Sequence, residues 1–313
     1  MGILGWIALA VLAAAAIYAI LSVVLAAVAA YRYPHVIQKA ASVPWKQYME
    51  AVRREKDWFC TKKPEQVEIL SLDGLKLRGR YLPFKDSDSA ILLMHGYRAQ
   101  SGEDDFSSML RFYWELGLSV LVVDQRAHGS SEGKAICFGV KERLDCKQWA
   151  QWLEERAKPA NLYLAGLSMG AATVLMATEL PLPQSLRGVI ADCGYTSPCA
   201  ICAHVLKTSY HMPAWPFVPM ANGVLRLMAH CDLRNCSALE AMRKDTSIPV
   251  LFIHGEQDCF VPMAMGRENY EACQAEKELL IVPSAAHALS VWEDEARVKE
   301  KIAAFICKHK SAL

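Results

Sequence analysis

The chain is 313 residues long, carries a formal net charge of +1, and is 53% hydrophobic. That length admits one large domain or two small ones, and the near-neutral balance excludes the basic surface expected of a nucleic-acid binder. The hydrophobic share is high for a soluble protein because one segment inflates it.

That segment is the first element. Ile3 to Ala30 is almost unbroken Ala, Leu, Ile and Val, with Tyr18 and Ser22 as its main interruptions and no charge. At 1.5 Å per residue it is long enough to cross a bilayer. A cleaved signal peptide would show a basic start and a shorter apolar run, and a buried soluble helix would normally show a polar face. Residues 1–30 therefore read as a single-pass membrane anchor. Arg32, Lys39 and Lys46 follow it before the first acidic residue, Glu50, so the positive-inside rule places the following domain in the cytoplasm. The 11 cysteines, an odd count without a regular framework, suit that reducing compartment.

Residues 31–64 read as a juxtamembrane connector. Val43-Pro44-Trp45 and the charged run Arg53-Arg54-Glu55-Lys56-Asp57 suggest a helix that either lies at the membrane interface or bridges as a solvated linker. Residues 65–313 then alternate between strands and helices. Val67–Leu70 and Leu75–Tyr81 flank Asp73-Gly74, a strong hairpin signal. Ile91–Met94 is a strand that ends in His95-Gly96-Tyr97. Asp104–Leu116 fits a helix, Leu118–Val123 a strand, and Val140–Ala157 a helix that buries Trp149, Trp152 and Leu153. Asn161–Ala165 is a strand and Ala171–Ala177 a buried helix. Strands follow at Arg187–Ala191, Val250–Ile253 and Leu279–Val282, with helices at Met263–Gln274 and from Ala288 to about Lys308. Short apolar strands alternating with helices mean an α/β fold with a mostly parallel sheet covered on both faces. The stretch at about 194–247 breaks the alternation. Rich in Cys, Met, His, Trp and Pro, it reads as a helical lid insertion over the carboxyl edge of the sheet.

Between the Asn161 strand and the Ala171 helix stands Gly166-Leu167-Ser168-Met169-Gly170, a G-x-S-x-G. A serine on a sharp strand-to-helix turn holds its hydroxyl above the end of a sheet, and the flanking glycines avoid clashes in the tight turn. A serine hydroxyl needs a base to take its proton, and that base needs an acid to fix its tautomer. Asp258, just past the Val250 strand, and His287, in the loop after the last strand, fill those roles. His254, on a strand end before a glycine, is the competing histidine and reads as structural; Asp192 is the competing acid. The oxyanion hole needs two backbone N–H groups. Met169, next after the serine, supplies one, and Tyr97 the other. The Tyr97 side chain is either part of the cleft or a surface aromatic beside it.

From Val67 onward the chain resembles bacterial membrane-anchored α/β-hydrolases of the serine hydrolase superfamily, grouped with serine aminopeptidase-like and acyl-ester-cleaving members. The resemblance rests on His95-Gly96-Tyr97, Asp124-Gln125-Arg126-Ala127-His128-Gly129-Ser130-Ser131, Gly166–Gly170, Asp192-Cys193-Gly194-Tyr195-Thr196-Ser197, Ile253-His254-Gly255 with Asp258, and His287. The order Ser168, Asp258, His287 is the order of that family's triads. The resemblance implies the α/β-hydrolase fold, a mainly structural role for Asp124–Ser131, and no metal or organic cofactor. Ala127 departs from it, because many relatives have glycine there; a left-handed backbone at that position would strain alanine, and the expectation is that this turn tolerates it.

Together these features predict a membrane-anchored serine hydrolase that cleaves carboxylic or lipid-like acyl esters through an acyl-enzyme. Thioesterase, lysophospholipase, serine peptidase or acyltransferase chemistry could run on the same triad. The rival of another class is a non-catalytic, membrane-tethered binding protein on a hydrolase scaffold. Cys199 and Cys202 form a C-x-x-C with His204, His211, His230, Cys231 and Cys236 nearby. A structural zinc site or a redox pair is conceivable there, but the second pair is spaced loosely, and these cysteines read as small buried residues. The Trp215-Pro216-Phe217 cluster either faces the bilayer or packs on its own domain.

Overall fold

A computed structural model describes residues 2–32, 47–244 and 247–311. Val43-Pro44-Trp45, Lys39 and Lys46 lie outside the described residues. The elements in chain order are α1 (Ile3–Ala30), α2 (Met49–Thr61), β1 (Glu65–Leu70), β2 (Lys76–Leu82), β3 (Ser89–Met94), α3 (Gly102–Glu115), β4 (Ser119–Val123), α4 (Glu142–Ala157), β5 (Asn161–Leu167), α5 (Met169–Ala177), β6 (Leu186–Asp192), α6 (Pro198–Ser209), α7 (Ala214–Ala229), α8 (Ala238–Arg243), β7 (Val250–Gly255), α9 (Met263–Ala272), β8 (Lys277–Val282), α10 (Ser290–Glu293) and α11 (Glu295–His309).

The eight strands form one sheet in the order β1-β2-β4-β3-β5-β6-β7-β8. β1 and β2 are antiparallel, joined by the expected turn at Asp73-Gly74, where Gly74 sits at φ +84. β2 also pairs antiparallel with β4; the pairings among β3 to β8 are all parallel, so these strands end at one edge. Both faces are packed, and the two-residue period of a strand divides the side chains between them. Leu92 and Met94 of β3 join Trp149 and Leu153 of α4 and Val174 of α5 on one face. Ile91 and Leu93 join Phe106 and Leu110 of α3 and Phe305 of α11 on the other. This is the mostly parallel, doubly covered sheet expected from the alternation, in the α/β-hydrolase arrangement that the resemblance implies.

Three elements differ from the sequence reading. The connector helix α2 is no free solvated linker: it buries Val52 and Phe59, and Lys56 and Glu55 pair with Asp104 and Arg111 of α3 at 2.5 and 3.0 Å. The C-terminal helix is broken, because Asp294 leaves the helical conformation and its carboxylate accepts the Arg297 N–H to start α11. Helix α1 is 28 residues of continuous apolar helix, long enough to cross a membrane. Its end, however, is docked: the Ile136 N–H donates to the Ala30 carbonyl at 2.7 Å, and the Arg32 N–H to the Lys134 carbonyl at 2.8 Å. Helices α6, α7 and α8 occupy the stretch between β6 and β7 expected to be a lid, and α7 runs against α1.

Candidate active site

Ser168 stands between β5 and α5 with φ +56 and ψ −112. An L-residue held there costs on the order of 1–3 kcal/mol, which the surrounding turn must impose. The glycines show how. A Cβ on Gly170 would collide with the Met94 carbonyl of β3, and one on Gly166 with the Gly170 backbone. The elbow therefore presses directly onto the neighbouring strand. The Ser168 N–H donates to the Asp192 carbonyl at 2.8 Å, which ties the elbow to β6.

The loops after β5, β7 and β8 bring the three predicted residues together. His287 Nε2 lies 2.9 Å from Ser168 Oγ, and His287 Nδ1 lies 2.6 Å from Asp258 Oδ2. The other oxygen, Oδ1, accepts the Phe260 and Val261 N–H groups, each at 2.9 Å. Burial opposes ionisation of Asp258, but hydrogen bonds from His254, His287 and the Val261 N–H outweigh it and pull its pKa down to about 2. A carboxylate that stays ionised holds Nδ1 of His287 protonated, so Nε2 faces the serine as an acceptor.

The two competitors point elsewhere. The His254 ring is buried, with Nε2 2.9 Å from the Val261 carbonyl and 3.5 Å from Asp258 Oδ2, so it buttresses the acid. Asp192 Oδ1 accepts the Ser290 hydroxyl at 3.0 Å, and burial raises its pKa to about 6.

The loop that carries Tyr97 is pinned on both sides. The Gly96 N–H donates to Asp105 Oδ2 at 2.7 Å, and the Arg98 N–H to His128 Nε2 at 3.0 Å. His128 Nδ1 faces the Arg126 carbonyl at 2.9 Å, which assigns the ring proton to that nitrogen. Burial, with the neighbouring His95, keeps its pKa well below the ordinary histidine value, so it remains a neutral acceptor. His95 is held the same way, with Nδ1 toward the Gly96 carbonyl and Nε2 accepting the Gln125 N–H at 2.9 Å. Asp124 accepts the N–H groups of Gly102 and Ser130, and buried Arg126 clamps Asp145 at 2.6 Å and Asp73 at 2.9 Å. The Asp124–Ser131 segment thus supports the Tyr97 loop. Ala127 within it lies at φ +62, so this turn does hold alanine in the left-handed region, at a cost of roughly 1–2 kcal/mol.

Tyr97, Met169 and Ser168 share the wall of one apolar cavity of about 300 Å³. The Tyr97 ring is no surface aromatic. It stacks on Phe138 at 5.6 Å, and its hydroxyl donates to the Ala29 carbonyl of α1 at 2.6 Å. Trp215-Pro216-Phe217 leans on the same helix: Tyr18 donates to the Pro216 carbonyl at 2.6 Å and meets the Phe217 ring at 5.4 Å. The cysteines of α6 line or flank this cavity, and burial pushes the Cys202 thiol up to about 12. Among the described residues, metal-ligating atoms converge at Cys193, Asp258 and His287 and not at the C-x-x-C. Cys193 had been legible only as a letter of the Asp192–Ser197 motif. It sits buried beside Asp258 and His287, and burial raises its pKa well above that of an ordinary thiol, which disfavours the thiolate.

A family model described as "Alpha/beta hydrolase family" matches residues 91–300. Among curated proteins, YqkD of Bacillus subtilis, named only as uncharacterized, is 28% identical over 248 residues, 77% of this chain and 80% of its own. Lysophosphatidylserine lipase ABHD12 of Danio rerio is 28% identical over 198 residues, 63% of this chain and 50% of that protein. Among solved structures, the Pyrococcus furiosus esterase Pf2001 superposes with a TM-score of 0.64 at 24% identity, over 79% of this chain and 92% of the esterase. At that identity the likeness speaks for the fold alone.

Proposed function

The chain belongs to the alpha/beta hydrolase family, and from that premise we propose that it is a membrane-anchored serine hydrolase that cleaves carboxylic esters. The observation that carries this reading is the hydrogen-bonded series Ser168–His287–Asp258, with Ser168 on the wall of an apolar cavity. Ser168 Oγ attacks the ester carbonyl as His287 Nε2 takes its proton, and Asp258 stabilises the resulting imidazolium. The N–H groups of Met169 and Tyr97 hold the oxyanion. His287 returns the proton to the departing alcohol, leaving an acyl-enzyme, and then activates the water that releases the acid. Water is the second substrate, and the groups that move protons and hold charge are side chains and backbone of this chain.

The apolar wall favours a lipid-like acyl group over a peptide. The name of the Danio rerio relative, a lysophosphatidylserine lipase, supports a second reading in which the ester belongs to a single-chain phospholipid. Helix α1 serves as a single-pass anchor in the cell membrane. Arg32 beyond its end supports a cytoplasmic domain by the positive-inside rule. The insertion α6–α8 acts as a lid. A panel of p-nitrophenyl esters, acyl thioesters, lysophospholipids and peptides tests the reaction class. The reading expects the highest kcat/KM on oxygen esters; turnover of peptides alone would contradict it.

A further inference from the structure

The cavity beside Ser168 has a wall that the strand-helix domain does not supply. Leu25, Ala26 and Ala29 of α1 line it, together with Val205 of α6 and Leu225 of α7. The last carbonyls of a helix have no partners within it, and here the domain supplies them. Val28 accepts the Arg98 guanidinium, Ala29 the Tyr97 hydroxyl and Ala30 the Ile136 N–H. Two of these three donors belong to the loop that carries Tyr97.

Length points the same way. The 28 residues of α1 extend about 42 Å, against a hydrocarbon core of about 30 Å. About eight residues exceed the span, and the residues lining the cavity fall within the last six of the helix. Farther along, Tyr18 holds the start of α7, where Trp215 is 77% exposed. The seam between α1 and α7 thus runs from an exposed apolar rim to the nucleophile.

We propose that the last two turns of the anchor helix, Leu25–Ala30, are the acyl-binding wall of the active site and set its specificity for long-chain, lipid-borne esters. The acyl chain lies against Leu25, Ala26 and Ala29, with its carbonyl at Ser168. This rests on the reading of Ser168 as the nucleophile of an anchored hydrolase. Alanine at 26 and 29 leaves the space the chain fills, and each methylene buried there raises kcat/KM about fourfold.

The test uses the full-length protein in dodecyl maltoside micelles and compares kcat/KM for p-nitrophenyl dodecanoate and butyrate. Ala26→Phe fills the wall, and its dodecanoate-to-butyrate ratio falls at least tenfold. Leu25→Ala enlarges it, and the preferred chain length moves upward. Labelling by a small fluorophosphonate reports that each variant is folded. If Ala26→Phe does not label, Leu25→Ala alone decides. Labelled variants with the wild-type ratio and chain-length optimum overturn the proposal while leaving the hydrolase reading intact. A wild-type protein inert to both esters and probe overturns the hydrolase reading and this proposal with it.

Discussion

Replacing Asp258 with asparagine tests the site at its most constrained point. Oδ1 accepts two backbone N–H groups, from Phe260 and Val261, so the amide must place its carbonyl there. Its NH2 then faces His287, where the carboxylate oxygen now lies 2.6 Å from Nδ1. Two donors cannot face each other, so the proton leaves Nδ1 for Nε2. The imidazole then presents N–H to Ser168 and cannot take its proton. Loss of the correct tautomer in a serine triad lowers kcat on the order of 10⁴-fold. Stability changes as well. The carboxylate's pKa of about 2 lies below the ordinary aspartate value, and the difference is worth about 2 kcal/mol at neutral pH. The sign follows from the depressed pKa: the stabilisation is present above about pH 4 and lost as pH falls through about 2. Asp258→Asn should therefore unfold more readily than wild type at pH 7, with the gap closing in acid. Ester turnover and thermal unfolding across pH measure both. A kcat within tenfold of wild type would refute the reasoning, and a 10⁴-fold loss in Asp192→Asn instead would move the acid to β6.

Two further substitutions probe the frame. Gly170→Ala should abolish folded protein, because the new Cβ meets the Met94 carbonyl in the middle of the sheet; soluble, probe-labelled Gly170→Ala would contradict the elbow's packing. Asp192 is raised to about 6 by burial, so its folded form is favoured while protonated and loses that advantage as pH rises through about 6. Asp192→Asn can still accept the Ser290 hydroxyl, and it should exceed wild type in stability by up to about 3 kcal/mol at pH 8 and match it near pH 4. An equal difference at both pH values in thermal unfolding would count against a buried, titrating carboxyl.

The meeting of Ser168, Asp258 and His287 was legible because each follows a strand and a turn signal, and parallel strands deliver their ends to one edge. Glycines at 166 and 170 and the D-G turn at 73–74 carry their geometry in their identity. The docked end of α1 was not legible. A uniformly apolar helix has no polar face to mark which side meets protein, and Tyr97, whose hydroxyl fastens it, reads as one more aromatic. The roles of His95 and His128 were hidden for a related reason: only coordinates reveal which ring nitrogen meets a carbonyl and which meets an N–H. The break at Asp294 was missed because an aspartate suits a helix N-cap as well as a helical surface, and periodicity continues across it. At Ala127 the expectation was a turn that tolerates alanine, and the turn does hold it, but in the left-handed region at φ +62.

The central claim is that Ser168 is activated by His287. Peptide mapping of the full-length protein after fluorophosphonate treatment tests it most directly. The account predicts a single adduct on Ser168, absent in Ser168→Ala and formed orders of magnitude more slowly in a folded His287→Ala. An adduct at another residue, or one that forms on Ser168 at the wild-type rate without the His287 imidazole, would contradict it.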